Sequence, residues 1–367
     1  MVSPFLLRVF YTTCIIAILH SKVNLMKFKL VLLCLFTTWT FKASSQSVTG
    51  ADSARNFIDS ALSFARHNSV YRNKLNWTAI TDSVKTSSTG AKSILEAMPA
   101  MAQLYRLTGD YHGFVLYRGK YYKWWRPSKK TDTTVHKVLE VKFKMKPLIE
   151  QQLLEKGYGY LSIPRNNPNH AHQTDTIANQ IQDSLAKLTP ARLKGLIIDL
   201  RLNSGGSMFP MILGIGNIID KGKQGSFYDP ASQTSTAWGV KGLDIYVGND
   251  TKCSVLKFCT VNPAIKVVVL ISPKTASSGE ATAISLKGQK NVYFIGETTG
   301  GFTTANDSID FTNDLSAFFA TAVEADRNDK LYYDNVLPDK EIIGGDNFND
   351  LHKDAKVIAA LQWLKQK

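Results

Sequence analysis

Cysteine is scarce in this chain: 367 residues hold four, and two of them, Cys14 and Cys34, fall within the first 45. That excludes a small disulfide scaffold. The other two, Cys253 and Cys259, lie six residues apart, and both a local disulfide and two unpaired thiols are open readings. Beyond residue 45 there is no run of 18 apolar residues, so no stable membrane span is expected. Internal repeats and low-complexity tracts are lacking as well. Formal charge is +14, yet basic residues form no block longer than pairs such as Lys129-Lys130, and no nucleic-acid motif accompanies them. A nucleic-acid partner is therefore set aside. What is present is 44% hydrophobic residues, enough to exclude a disordered chain, in a length that fits one large domain with an appendage or two domains.

Much of the charge imbalance sits at the start. Residues 1–45 carry five of the 44 Lys and Arg and none of the 30 Asp and Glu, so the remainder bears +9. Met26-Lys-Phe-Lys29, the apolar run Leu30 to Phe41 and Ala43-Ser44-Ser45 have the order of a signal peptide: basic, apolar, then small. The expectation is a leader over 1–45 with its start at Met26, cleavage near Ser45 or Gln46, and export to the periplasm or beyond. Leu33 before Cys34 is too large for a lipoprotein signal.

Periodicity then divides the chain. Residues 46–112 read as helical: Asp52 and Ser53 cap a helix whose Ala54, Phe57, Ile58, Ala61, Leu62 and Ala65 share one face, and a second runs through Ile94, Leu95, Met98, Met101 and Tyr105 with a kink at Pro99. Residues 113–156 read as a β-rich connector with strands at Phe114 to Arg118, Tyr121 to Trp125 and Val138 to Met145. Residues 157–345 alternate: strand Gly159 to Pro164, helix Ile177 to Leu188, strand Gly195 to Leu200, helix Met208 to Ile219, strand Lys266 to Ser272, helix Ser278 to Lys287, strand Val292 to Ile295. The stretch 220–262 reads as an irregular insertion, Ile309 to Val323 as a hairpin around Asn313-Asp314, and 346–367 as a closing helix. The fold class expected is α/β with a mainly parallel sheet.

Two strand-to-helix junctions carry chemistry. One is Gly195-Leu-Ile-Ile-Asp-Leu-Arg-Leu-Asn203-Ser-Gly-Gly206, the other Val267-Val-Val-Leu-Ile-Ser-Pro-Lys-Thr-Ala-Ser-Ser-Gly-Glu280. In a parallel sheet both loops leave the carboxyl edge, where such folds build their sites. Glycines admit close backbone approach, and a helix start offers N–H groups to an anion. Ser277 could thus stand as a nucleophile beside N–H donors of Gly205 or Gly206 and Ser278. A helix cap and a tight turn would use the same residues.

These two junctions, with Gly296-Glu-Thr-Thr-Gly-Gly301 after them, resemble the tail-specific (C-terminal processing) serine peptidases over about residues 155–340, a family that includes tricorn core proteases and retinoid-binding modules. The resemblance implies a ClpP/crotonase-related core, Ser277 as nucleophile, Gly205 or Gly206 with Ser278 as oxyanion hole, and no metal or organic cofactor. The turn Gly300-Gly301-Phe302 lacks the lysine base of the bacterial processing branch, and Lys274 and Lys287 stand elsewhere. The chain therefore resembles the histidine-dependent branch, with Asp110-Tyr-His112-Gly-Phe114 supplying His112 as base. His170 and His172 are rivals for that role; as a metal pair they lack an evident third ligand. Asp334, ahead of Pro338-Asp339, is the nearest match for the acid, with Asp326 a competitor. Glu280 and Glu297 are expected to orient the Ser277 loop. Residues 113–157 are too few for a PDZ domain. The resulting expectation is an exported serine hydrolase acting on peptide or protein substrates, of unassigned oligomeric state, with a binding protein for an apolar ligand, or an esterase, as alternatives.

Overall fold

The computed structural model describes residues 49–124, 134–168 and 171–366. The leader, most of the Arg126 to Thr134 loop and His170 lie outside the described residues.

The chain opens with three helices, α1 (Gly50–Asn68), α2 (Trp77–Ser87) and α3 (Ile94–Thr108). Thr49, one turn ahead of the expected caps, begins α1 by accepting the Asp52 N–H. Pro99 lies inside α3, in its second turn, where it has no N–H to give the Leu95 carbonyl, and Gly109 ends the helix in the left-handed conformation. Strands β1 (Phe114–Tyr117) and β2 (Lys120–Tyr122) follow as a hairpin. The span Val138 to Met145, expected as a strand, is instead mostly a helix, α4 (Lys137–Phe143). Its Val138, Val141 and Met145 are exposed while Leu139 is buried, so the apolar run does not signal a covered strand.

The core is a six-stranded sheet formed by β3 (Glu150–Glu155), β4 (Tyr158–Ser162), β5 (Gly195–Asp199), β10 (Lys266–Ile271), β11 (Val292–Gly296) and β15 (Lys340–Glu341), in the order β15-β11-β10-β5-β4-β3. Every neighbouring pair is parallel except β3 with β4. Alternation along the strands sorts the core into two faces. Leu196, Ile198, Val267 and Val269 pack with α5 (Ala171–Lys187), α6 (Met208–Leu213) and α7 (Ser278–Leu286), whereas Ile197, Val268 and Leu270 pack with α8 (Ala355–Leu364).

The expectation of a mainly parallel fold needs correction, because the larger sheet is antiparallel. Nine strands among the described residues build it: β1, β2, β6 (Gly222–Asp229), β7 (Thr234–Lys241), β8 (Asp244–Val247), β9 (Asp250–Ser254), β12 (Thr304–Thr312), β13 (Leu315–Asp326) and β14 (Leu331–Tyr332). Strands β6 to β9 occupy the stretch read as an irregular insertion; their short polar repeats conceal a meander buried on one side by Trp238, Val240 and Ile245. Strand β13 organises this sheet. It pairs with β1 over residues 315–318, with β12 over 315–323, and with β6 and β14 near its end. Leu315, Ala317 and Phe319 of β13 also form the floor on which α1 to α3 pack. The molecule is thus mixed α/β, with an N-terminal helical region. Cys253 and Cys259 are free thiols, and no helix among the described residues is long and apolar enough to cross a membrane.

Candidate active site

Strands β5 and β10 run parallel and in register, Gly195 beside Lys266 and Asp199 beside Leu270, so their following loops leave one edge together. Short polar side chains bind the loops to each other. Ser272 Oγ donates to the Arg201 carbonyl (2.7 Å) and Thr275 Oγ1 to the Leu200 carbonyl (2.8 Å), while the Ala276 N–H reaches the Asn203 carbonyl (3.0 Å). A Cβ on Gly279 would lie 2.3 Å from that carbonyl oxygen, so only glycine lets α7 start this close.

At the top of the turn Ser277 has φ +55° and ψ −128°, backbone space that an L residue enters at a cost of about 1–3 kcal/mol. Glu280 holds it there. Its buried carboxyl accepts the N–H groups of Ser277 (2.9 Å), Gly301 (2.9 Å) and Phe302 (2.7 Å) and the Thr299 hydroxyl. Burial pushes this carboxyl up to about 7 against the pull of those donors. One side chain therefore fixes the Ser277 elbow and the Gly300–Phe302 turn as a unit.

His112 arrives from the other sheet. Asp110, buried after the α3 cap, accepts the N–H groups of His112 (3.0 Å) and Gly113 (2.6 Å) through Oδ1 and that of Ala320 on β13 (2.8 Å) through Oδ2. Asn306 Nδ2 donates to the His112 carbonyl (3.2 Å). So held, the His112 ring places Nε2 2.9 Å from Ser277 Oγ and Nδ1 2.9 Å from Thr304 Oγ1. With Nε2 accepting from serine, Nδ1 carries the ring proton and the Thr304 hydroxyl accepts it. Burial lowers the His112 pKa to about 4; Thr304 opposes the shift and the Lys123 charge adds to it. The ring is neutral at neutral pH and free to take a proton.

Gly205 and Gly206 stand beside this pair with φ of +106° and +116°. A Cβ on Gly205 would come within 2.8 Å of Ser277 Cβ, and one on Gly206 would strike the Asn166 carbonyl at 1.5 Å. The two glycines differ in what they can offer. The Gly205 N–H is donated to Asn203 Oδ1 (3.1 Å), which narrows the expected oxyanion donors to Gly206 and Ser278. Ser278, at the first position of α7, has no acceptor within the helix for its N–H.

Asp334 does not take the expected third position. It is exposed on the rim of the same cleft, where its charge adds to the burial that raises the Tyr71 phenol, and His112 Nδ1 goes to Thr304 instead. The reason is connectivity: β12 starts directly after the Gly301 turn, and its pairing with β13 carries Thr304 beneath the imidazole. Thr304 had no sequence signal, being a threonine in a short polar run. Asp326, the competitor, braces its own turn by accepting the Tyr332 hydroxyl and the Asn328 and Lys330 N–H groups. Glu297, expected to orient the Ser277 loop, pairs with His136 (2.5 Å) and Lys356 (3.1 Å) and accepts the Gly344 N–H (3.2 Å). Lys274 pairs with Glu140 (2.6 Å), and Lys287 lies over the Phe294 ring (3.6 Å). His172 lies on α5 with its side chain exposed, and His170 is outside the described residues. Among the described residues no group of three or more His, Cys, Asp or Glu could hold a metal ion.

The profile of peptidase family S41 matches residues 157–342, half of the chain. The chain belongs to peptidase family S41. It is 24% identical over 313 residues to the nisin-resistance protein of Lactococcus lactis subsp. lactis, covering 85% of this chain and 87% of that one. It is 31% identical over 139 residues to the carboxy-terminal processing protease CtpA of Bacillus subtilis, though these span 38% of this chain and 26% of CtpA. Among solved structures, a lipoprotein from Streptococcus agalactiae shares the fold with a TM-score of 0.64 at 20% identity, covering 94% of this chain and 99% of that one. The photosystem II D1 C-terminal processing protease does so with a TM-score of 0.53 at 15% identity, covering 82% and 96%. The resemblance to C-terminal processing serine peptidases is thereby established.

Proposed function

We propose that this chain is an exported serine hydrolase that cleaves peptide bonds, with Ser277 as nucleophile, His112 as base, and Gly206 with Ser278 as oxyanion donors, on a core of the ClpP/crotonase-related kind. The observation that carries the reading is the 2.9 Å contact between His112 Nε2 and Ser277 Oγ, made at a serine whose backbone is held in a strained elbow.

The chemistry follows from the positions. His112 Nε2 takes the Ser277 proton as Oγ adds to the peptide carbonyl carbon. The resulting oxyanion faces the N–H groups of Gly206 and Ser278, where fixed dipoles in a shielded site stabilise developing charge. His112 then passes its proton to the leaving amine, and the C–N bond breaks to leave an acyl-Ser277 ester. Water, deprotonated by the same nitrogen, hydrolyses that ester and restores the site. Thr304 Oγ1 keeps the proton on Nδ1, so that Nε2 is the nitrogen that takes and returns the proton. In this reading a hydroxyl does the orienting that an acid does elsewhere, and Asp334 stands outside the proton path. Export rests on the leader pattern of Met26 to Ser45.

Similarity along most of its length to a nisin-resistance protein makes nisin one peptide to try first. The test is hydrolysis of a peptide panel, nisin included, by the chain that begins at Gln46, set beside Ser277→Ala and a matched ester panel. The proposal expects peptide cleavage that Ser277→Ala abolishes. Cleavage of esters alone would turn the reading to an esterase, and peptide cleavage by Ser277→Ala would overturn the nucleophile.

A further inference from the structure

One buried carboxyl in the cleft takes no part in the mechanism above. Glu324, on β13, is 3% exposed yet lines the same cleft as Ser277 and His112. Among the described residues its Oε2 has no hydrogen-bond partner. Its directly opposed neighbours on the sheet are Phe227 of β6 and Tyr332 of β14, both aromatic, where a structural acid would have found a cation or a donor. Tyr332 spends its hydroxyl on Asp326. Burial holds the Glu324 carboxyl well above the carboxylate range, and the one charged group that adds to the shift is Glu280, another acid. Glu324 thus lines the cleft with one carboxyl oxygen unpartnered among the described residues, and the acid that acts on it, Glu280, holds the Ser277 N–H behind the cleft wall (2.9 Å).

An isolated buried acid costs stability and persists where something outside the fold completes it. We propose that Glu324 is a specificity-determining residue: it forms the floor of a subsite that takes the basic side chain, Lys or Arg, of the peptide being cleaved. The ammonium or guanidinium enters between Phe227 and Phe302, both of which line the cleft. Its charge stabilises the Glu324 carboxylate that burial and Glu280 otherwise disfavour. Because Glu324 meets the cation as an acid, its proton leaves to solvent as the pair forms. Desolvated charge pairs of this kind discriminate strongly against a neutral residue of equal shape. The proposal rests on the peptidase reading for its substrate, but its ligand chemistry stands on Glu324 itself.

The experiment has two arms so that the two readings fail separately. In the first, peptides with one Lys placed at successive positions are compared with the same peptides carrying norleucine, using wild type and Glu324→Gln. One position should show a Lys-over-norleucine preference of about 10- to 100-fold in kcat/KM, and Glu324→Gln should bring that ratio close to one. In the second, benzamidine binding to wild type is measured by calorimetry in two buffers of different ionisation enthalpy. Binding with release of about one proton, lost in Glu324→Gln, is the expected result. The wild-type halves of both arms need no variant to fold, and Glu324→Gln should melt no lower than wild type because the oxygen it replaces makes no hydrogen bond. Equal treatment of Lys and norleucine at every position, or benzamidine binding without proton release, overturns the subsite. Proton-coupled benzamidine binding in a protein that cleaves no peptide overturns the peptidase reading and leaves the subsite standing.

Discussion

Two groups of buried acids, one behind the parallel sheet and one on the cleft side, are treated in opposite ways. On the α8 face, Asp199, Asp346, Asp354 and Glu297 surround Arg201 and Lys356, both fully buried. Arg201 reaches Asp199 (2.6 Å), Asp346 (2.6 Å) and Asp354 (2.7 Å), and Lys356 reaches Asp346 (3.0 Å) and Glu297 (3.1 Å). On the cleft side, Glu280 is satisfied by backbone N–H groups and a hydroxyl, and Glu324 Oε2 by nothing among the described residues. Pairing on the first face ties β5, β11 and the start of α8 into one rigid base. On the second, Glu324 keeps one oxygen unpartnered among the described residues, the place the proposed subsite gives to a substrate cation. Where buried charge is balanced inside the chain it serves the fold, and where it is left unbalanced beside a nucleophile it serves the reaction.

That contrast can be broken by variants that ought to move one property and spare the other. The largest effect belongs to the base. His112→Ala should lower kcat/KM by about 10²- to 10⁴-fold with a near-native melting curve, read by steady-state kinetics and thermal unfolding. In wild type the same residue sets the acid limb. Because His112 acts when neutral and burial places its pKa at about 4, kcat/KM should be level above that value and fall as pH drops through it. A limb near 6.5 would show a solvated imidazole and contradict the burial. Next comes the balanced face. Arg201→Met strands three carboxylates and should cost about 3–5 kcal/mol of folding stability, measured by urea unfolding. Full stability with lost activity would mean that the base of the core is part of the chemistry after all. The smallest effect falls on Thr304→Val, which keeps shape and removes the acceptor at Nδ1. A loss of about tenfold in kcat is expected, with KM unchanged and Thr304→Ser restoring most of it. No change would show that the imidazole needs no partner there.

Legibility in the sequence followed locality. Strands β5 and β10 were evident because each is a continuous apolar run buried on both faces, and the Gly205-Gly206 and Ser277 to Glu280 loops because glycines and small residues punctuate them. The α4 segment misled because an exposed apolar helix and a short strand share a composition, and the β6 to β9 meander because its alternation is diluted by glycine and threonine. The meeting of His112 with Ser277 across 165 residues could be anticipated through family resemblance alone. Thr304 could not be anticipated at all: its role depends on β12 pairing with β13 in one register, which no local pattern records. Asp334 attracted attention by its neighbours in sequence, but position along the chain did not become position beside the ring.

The account stands on Ser277 being activated by His112, and a fluorophosphonate probe reads that directly. Treated at neutral pH and mapped by peptide mass spectrometry, the folded chain should carry one adduct, on Ser277, formed at a rate that His112→Ala reduces by orders of magnitude. A folded wild type that takes no label, or takes it on another serine at a rate indifferent to His112, would contradict it.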